Sequence, residues 1–132
     1  MISQAIAQNF KSNSTLVDAA GGAERFFAES GQGDQSVVVS VITPMLESDT
    51  IPDIVTASSQ VLCIGYGPDA GEILGQKIIA ALNELPGATM TISGKWTYKV
   101  QSVNTPMMPV FLYQANTVSI NFTIVYRQTF LA

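Results

Sequence analysis

The sequence has no histidine and only one cysteine among its 132 residues. Without histidine, neither a Ser-His-Asp nor a Cys-His nucleophile arrangement can form, and a zinc site with the usual cysteine and histidine ligands is excluded. The lone Cys63 cannot form a disulfide within the chain, and its place in an apolar run indicates a small core residue. We therefore expect no cofactor, no metal and no enzymatic activity.

Charge is also scarce. Charged residues make up 12% of the chain, about half the usual ~25% of a soluble domain. The net charge is −4, and the six lysines and arginines are scattered rather than grouped in a stripe, which argues against tight binding to phosphates. The first residues lack the basic start and apolar stretch of a signal peptide, so synthesis in a cytoplasm is expected.

Long apolar runs are missing too, although the composition is apolar. Hydrophobic residues make up 47% of the chain and the mean hydropathy is +0.29, yet no run approaches the ~18 residues of a membrane helix. The simplest account is burial between subunits. A monomer with an adhesive surface, or a protein that lies on a membrane surface, is the alternative.

The stretch from Gln60 to Leu85 organises the predicted single domain, residues 1–132. An apolar strand ends at Gly65, and a helix is predicted to begin at Asp69, capped by Asp69 and Glu72 and stopped by Pro86-Gly87. A helical wheel places the apolar residues on one face: Ile73, Leu74, Ile78, Ala81, Leu82 and Leu85. Ile79 falls among polar residues, either as a lone surface side chain or under a second packing surface.

The N-terminal part is predicted to hold a short helix over residues 2–11 and a second turn capped by Ser14 and ended by Gly21-Gly22. Residues 24–29 favour a short strand, and residues 36–43 form a β-branched run that predicts another strand. The connection over residues 44–59 is unusually long for a compact domain. It is interpreted as an extended loop or a two-stranded arm outside the core.

The C-terminal part reads as antiparallel strands. Alternating residues around the Ser93-Gly94 turn predict a hairpin, and Thr117–Arg127 alternate over a whole strand. Between them, Met107, Met108 and Phe111 lie in an apolar loop interrupted by prolines. The predicted fold class is α+β, with a mostly antiparallel sheet of four to five strands and one long and one short helix on one face.

One glycine pattern deserves comparison with a nucleotide site. Gly65-x-Gly67-x-x-x-Gly71 follows a strand and opens a helix, as a dinucleotide-binding turn does. Pro68 removes an N–H group, and Asp69 and Glu72 place negative charge where a pyrophosphate would bind. The pattern is therefore interpreted as a capped turn between strand and helix.

Other candidate sites are weaker. Glu47, Asp49 and Asp53 lack the spacing of an EF-hand and are interpreted as a solvated acidic loop rather than a calcium site. Trp96 has no basic groove around it and is interpreted as a core or interface aromatic. A small-ligand site on the face of Trp96 and Tyr98 is kept as an alternative.

The chain resembles the tail terminator, or tail completion, proteins of long-tailed bacteriophages. The resemblance lies in the strand, turn and helix from Gln60 to Leu85, in the Pro86-Gly87 stop, and in the late strands that end in Ile124-Val125-Tyr126-Arg127. It extends over most of the chain, including the N-terminal helix and the length. The motifs are patterns rather than fixed residues.

This resemblance implies a virion protein that closes into a hexameric ring at the head–tail junction. The ring would cap the tail tube and join it to the head-completion or connector protein, and DNA would pass through its lumen without specific binding. No membrane partner is implied. Another phage tail or head–tail connector protein is the alternative within this class.

Two sets of residues follow as hypotheses. Acidic residues near the lumen would not bind the phosphates of passing DNA. Three acidic residues are predicted to lie there: Glu47, Asp49 and Asp53. Apolar residues without an evident place in the core are predicted to contact other subunits or partners: Ile51, Ile54, Ile79, Met107, Met108 and Phe111.

Overall fold

The computed structural model describes residues 2–46, 54–92, 94 and 96–130, and the side chains of residues 43–46 and 130 are not considered. Three α-helices and seven strands follow one another along this part of the chain. The elements are α1 (Ile2–Lys11), α2 (Ser14–Ala20), β1 (Phe26–Ala28), β2 (Ser36–Leu46), β3 (Ile54–Ile64), α3 (Gly67–Asn83), β4 (Thr89–Ile92), β5 (Trp96–Asn104), β6 (Val110–Leu112) and β7 (Thr117–Phe130). Short 3-10 turns occupy Ala23–Arg25 and Tyr113–Ala115.

The strands form one mixed sheet in the order β1-β2-β3-β7-β5-β4, and β6 also pairs with β7. Among the described strands, only β1 and β2 run parallel, and every other pair is antiparallel. The α+β class is confirmed. The short strand predicted within residues 24–29 is β1, and the sheet exceeds the expected four to five strands partly because β6, only three residues long, is too short to show a periodic pattern.

The long connection of residues 44–59 is largely sheet rather than an arm outside the core. Strand β2 continues to Leu46 and β3 begins at Ile54. Strand β3 lies between β2 and β7 along its whole length, from the pair Ile54–Arg127 to the pair Ile64–Thr117. Ala57 is fully buried. The prolines and acidic residues of this stretch masked the strand pattern, and one of the two partners of β3, strand β7, comes from a distant part of the chain.

Alternation along the central strands separates a buried face from a polar one. Val61 and Cys63 on β3 and Ile120 and Ile124 on β7 are fully buried, because the helices cover this face of the sheet. Helix α1 contacts β1, β2 and β4, while α3 contacts β3 and β7. The two strands at opposite ends of the sheet order therefore meet the same helix, so the sheet curls around α1.

The second helix begins and ends close to the predicted residues. Asn13, rather than Ser14, is the N-cap, and its side-chain oxygen accepts from the N–H of Leu16 at 3.3 Å. At the other end, Gly21 has φ +93° and its N–H donates to the carbonyl of Val17, as the glycine stop predicts.

Candidate interaction surface

The most exposed apolar surface of the described chain is formed by residues that connect β5 to β7 in sequence. We call residues 106–113 the apolar segment. Met107 is 96% exposed, Met108 is 57% exposed and Tyr113 is 83% exposed, and Val110 and Leu112 are also exposed. Among the described residues these are five of the seven exposed large hydrophobic side chains. Contiguous exposed apolar side chains of this kind are typical of interaction sites.

The segment is held against one flank of α3. The hydroxyl of Thr105 donates to the side-chain oxygen of Asn83 at 3.1 Å. Pro109 packs so closely on Gly75 that a Cβ atom at Gly75 would lie 2.9 Å from the proline Cβ. Beyond Pro109, β6 pairs with residues 117–119 of β7. The backbone of the segment is thus fixed at several points while its large side chains face outward.

Phe111 differs from its neighbours because it turns inward. It is half-buried and packs against the core. Its ring also meets that of Tyr113 edge to face, with centroids 4.7 Å apart. The half-buried phenylalanine therefore packs against the exposed tyrosine. Of the predicted interface residues, Met107 and Met108 lie on the open surface and Phe111 supports that surface from below.

Ile79 is covered within the chain itself. It lies on α3 one turn after Gly75 and one turn before Asn83, on the flank that the apolar segment contacts. Only 8% of Ile79 is exposed. Ile79 is therefore not a lone surface side chain, because the single chain already buries it within the core cluster.

The buried face of α3 is rotated relative to the predicted one. Ile73, predicted to be buried, is 57% exposed, whereas Gly71 and Gly75 are buried. A Cβ atom at Gly71 would lie 2.7 Å from Cγ2 of Val118, so α3 approaches β7 through its glycines. Because glycine adds nothing to an apolar pattern, the helical wheel placed the centre of the face too far toward Ile73.

The turn before α3 is structural, and its capping differs from the prediction. The helix begins at Gly67, its N-cap is Tyr66, and no side chain caps it. Glu72 accepts a hydrogen bond from Gln76 instead of closing a capping box with Asp69. At Gly65, with φ +82°, a Cβ atom would lie 2.0 Å from the carbonyl oxygen of Asp34. The close passage of residues 34–35 thus accounts for this glycine.

The remaining predicted residues lie partly outside the described part of the chain. Glu47, Asp49, Ile51 and Asp53 belong to the undescribed stretch between β2 and β3. Ile54 opens β3 and is buried, and it pairs across the sheet with Arg127. As an interface candidate, Ile54 is therefore already covered by its own chain.

The chemistry available in the described residues is limited. No group of three His, Cys, Asp or Glu side chains in residues 2–46, 54–92, 94 and 96–130 is placed to hold a metal ion. Cys63 is fully buried, and burial raises the pKa of its thiol from 9.0 to about 12. Such a thiol stays protonated and is a poor nucleophile at neutral pH. Over the same residues, every helix is too short or too polar to cross a bilayer.

The Trp96 and Tyr98 face does not form an open ligand site. Tyr98 is buried and meets the ring of Tyr126 edge to face, with centroids 5.8 Å apart. Trp96 is half-buried against the core. Tyr98 points to the helix-covered side of its strand, where its ring stabilises the core instead of binding a small molecule.

The concave surfaces of the described residues include a trough and a groove. A shallow trough of about 570 Å³ lies on the polar face of the sheet, beside Ser58, Asn121 and Thr123. A groove of about 390 Å³ lies between α1, β1 and the end of β4. The groove has apolar side chains at its base, and it could not be predicted from the sequence because its residues come from three separate elements.

Comparison with known proteins gives a match of fold. No family model matches the chain, and no curated protein matches it. Among solved structures, the chain is similar to a chain of the virion of a native gene transfer agent particle, with a TM-score of 0.60 and 12% identity. The similarity covers 98% of this chain and 95% of that chain. The protein thus has the α+β fold of a virion chain over nearly its whole length.

Proposed function

We propose that this protein is a structural subunit of a phage or phage-like virion. The observation that carries the proposal is the end-to-end similarity of fold to a chain of the gene transfer agent virion. The low charge and the exposed apolar segment add support, since both favour a chain that is covered by neighbours in an assembly.

Within that class, we propose the role of tail terminator at the neck of the virion. Copies of the chain form a hexameric ring that caps the tail tube and offers a joining surface to the head-completion protein. The sequence resemblance described above supports this role. The apolar segment, with Met107 and Met108 at its surface, is the part of the described chain best suited to contacts between subunits.

The acidic stretch between β2 and β3 has a role in the same proposal. Glu47, Asp49 and Asp53 face the lumen and keep the phosphates of DNA from binding to the wall. The test is a ring in which these residues are changed together to Gln, Asn and Asn. The neutral ring is expected to retain more DNA than the native ring at low salt. Equal retention, or acids on the outer wall of an imaged ring, would contradict this placement.

The role is tested with the purified chain, purified tail tubes and DNA-filled heads. Light scattering and negative-stain microscopy are expected to show a ring of several 14.1-kDa chains, and the ring is expected to bind one end of the tube and allow heads to join. A ring that binds heads but not tubes would indicate a head-side connector. A chain that stays single and binds neither would exclude the neck role.

A further inference from the structure

The groove between α1 and β1 has the character of a receiving site for apolar side chains. Its floor contains the buried side chains of Ala7, Phe26 and Ile92, and Phe27 is half-buried beside them. The rim is polar and exposed, and it includes Lys11. A groove of about 390 Å³ with apolar side chains at its base and polar groups around them has room for one or two large side chains.

The groove and the apolar segment lie on different sides of the helix layer. The segment borders the flank of α3 that carries Gly75 and Asn83. The opposite flank, with Lys77 and Glu84, borders α2, and α1 lies beyond α2, in contact with it. The chain therefore presents an apolar protrusion and a groove of mixed polarity at separate places.

We infer that the apolar segment of one copy inserts into the α1–β1 groove of the next copy. The inference rests on the proposed ring. A closed ring needs a head-to-tail interface, which joins two different and complementary patches of each subunit. Charge agrees with this pairing: Lys11 stands at the rim of the groove, while the exposed Glu72 lies on α3 three residues before Gly75, against which Pro109 of the segment packs.

The test uses two variants, each with one damaged surface. Met108→Glu places a charge on the exposed protrusion, and Phe27→Glu places one in the groove. Each variant alone is expected to lose the ring and to run as a single chain of 14.1 kDa. When the two are mixed, the intact groove of one meets the intact segment of the other. The mixture is expected to form a 1:1 heterodimer, and nothing larger, by light scattering and native mass spectrometry.

A second groove variant guards against misfolding. Lys11→Glu changes only an exposed rim residue and is expected to weaken the ring without changing the circular dichroism spectrum. Adding Glu72→Lys to the same chain is expected to restore the ring, because the two charges are then exchanged.

The outcomes separate this inference from the proposed function. If the wild-type chain forms rings but the folded single-site variants mix without forming a heterodimer, the pairing of segment and groove is wrong while the ring stands. Rings formed by either variant alone would also remove that surface from the interface. If the wild-type chain forms no ring in solution or on tail tubes, both proposals fail together.

Discussion

At the scale of single residues, two glycines decide how α3 meets the sheet. Gly71 and Gly75 let the helix backbone approach Val118 and Pro109. This approach turns Ile79 inward and leaves Ile73 outside. Glycine within a helix costs about 1 kcal/mol relative to alanine. Here that cost is offset by the close packing it allows between α3, β7 and the apolar segment.

The first prediction concerns Gly71→Ala. The new methyl group would lie 2.7 Å from Cγ2 of Val118, and overpacking of about 1–3 kcal/mol outweighs the gain in helix propensity of up to about 1 kcal/mol. We expect a net loss of roughly 1–2 kcal/mol in the free energy of unfolding in urea. In a Val118→Ala background the same change is expected to be neutral or stabilising, because the clash is gone. A loss of equal size in both backgrounds would contradict this explanation.

The second prediction concerns alkaline pH. Burial raises the pKa of Cys63 to about 12. It also raises the pKa values of Tyr66 and Tyr126 to about 12, with smaller contributions from neighbouring ionisable groups. The folded chain therefore keeps protons that the unfolded chain releases, so stability is full below pH 9 and falls between pH 9 and about 12. The measurement is the urea midpoint as a function of pH.

Cys63→Ala provides the control for that experiment. Without the thiol, the fall is expected to begin near pH 10, the ordinary pKa of a tyrosine, rather than near pH 9, the ordinary pKa of a thiol. A urea midpoint that stays constant over the whole window would show that these groups do not ionise on unfolding.

At the scale of elements, α1 secures both ends of the sheet. It contacts β1 at one end of the strand order and β4 at the other. Phe10 is fully buried and meets the ring of Phe26 edge to face, with centroids 6.1 Å apart. Open strand edges are prone to association, and a helix lying across both end strands restricts access to them.

The open edge of β2 has protection of its own. After Ala28 the chain turns away at Glu29, which has φ +71°. The Glu29 carboxylate then accepts from the N–H of Val41 at 3.3 Å, and a register shift follows between Val41 and Thr43. Further along the strand, Pro44 has no N–H to offer. These features discourage another strand from adding to this edge.

The third prediction tests α1. Phe10→Ala removes a buried ring and its contact with Phe26, which is expected to cost about 3–5 kcal/mol. Phe10→Leu keeps most of the buried volume and is expected to cost about 1 kcal/mol. Urea unfolding gives both values. If the alanine variant were no less stable than the leucine variant, α1 would not anchor the curled sheet as described.

At the scale of the whole molecule, the exposed side chains of the apolar segment are expected to serve assembly, and its buried side chains are expected to serve folding stability. Met108 is exposed, whereas Phe111 packs against the core. The fourth prediction is that Met108→Glu weakens assembly without lowering the free energy of unfolding by more than about 0.5 kcal/mol. Phe111→Glu is expected to lower both, because it buries a charge.

Light scattering and urea unfolding measure the two effects separately. Ile73→Glu is the matched control, since it places the same charge on an apolar side chain that is equally exposed, at 57%, but lies outside the segment. If Met108→Glu still forms rings and joins heads at the wild-type rate, the segment serves only as cover for α3.

The local pattern of the sequence was sufficient for much of this molecule. Periodicity of two predicted β7 and the β4–β5 hairpin, because alternation shows directly when one face of a strand is buried. Glycine stops and β-branched runs predicted the end of α2 and the start of β2. The missing histidines and the low charge excluded whole classes of site, since those exclusions depend on composition alone.

Only the tertiary structure decided which surfaces the chain covers by itself. Ile54 and Ile79 were predicted to be interface residues, yet each is only 8% exposed in the single chain. The groove beside α1 exists only because three elements meet there. A local sequence pattern indicates whether a residue tends to be buried. Contacts between segments that are distant in sequence determine which residues bury it.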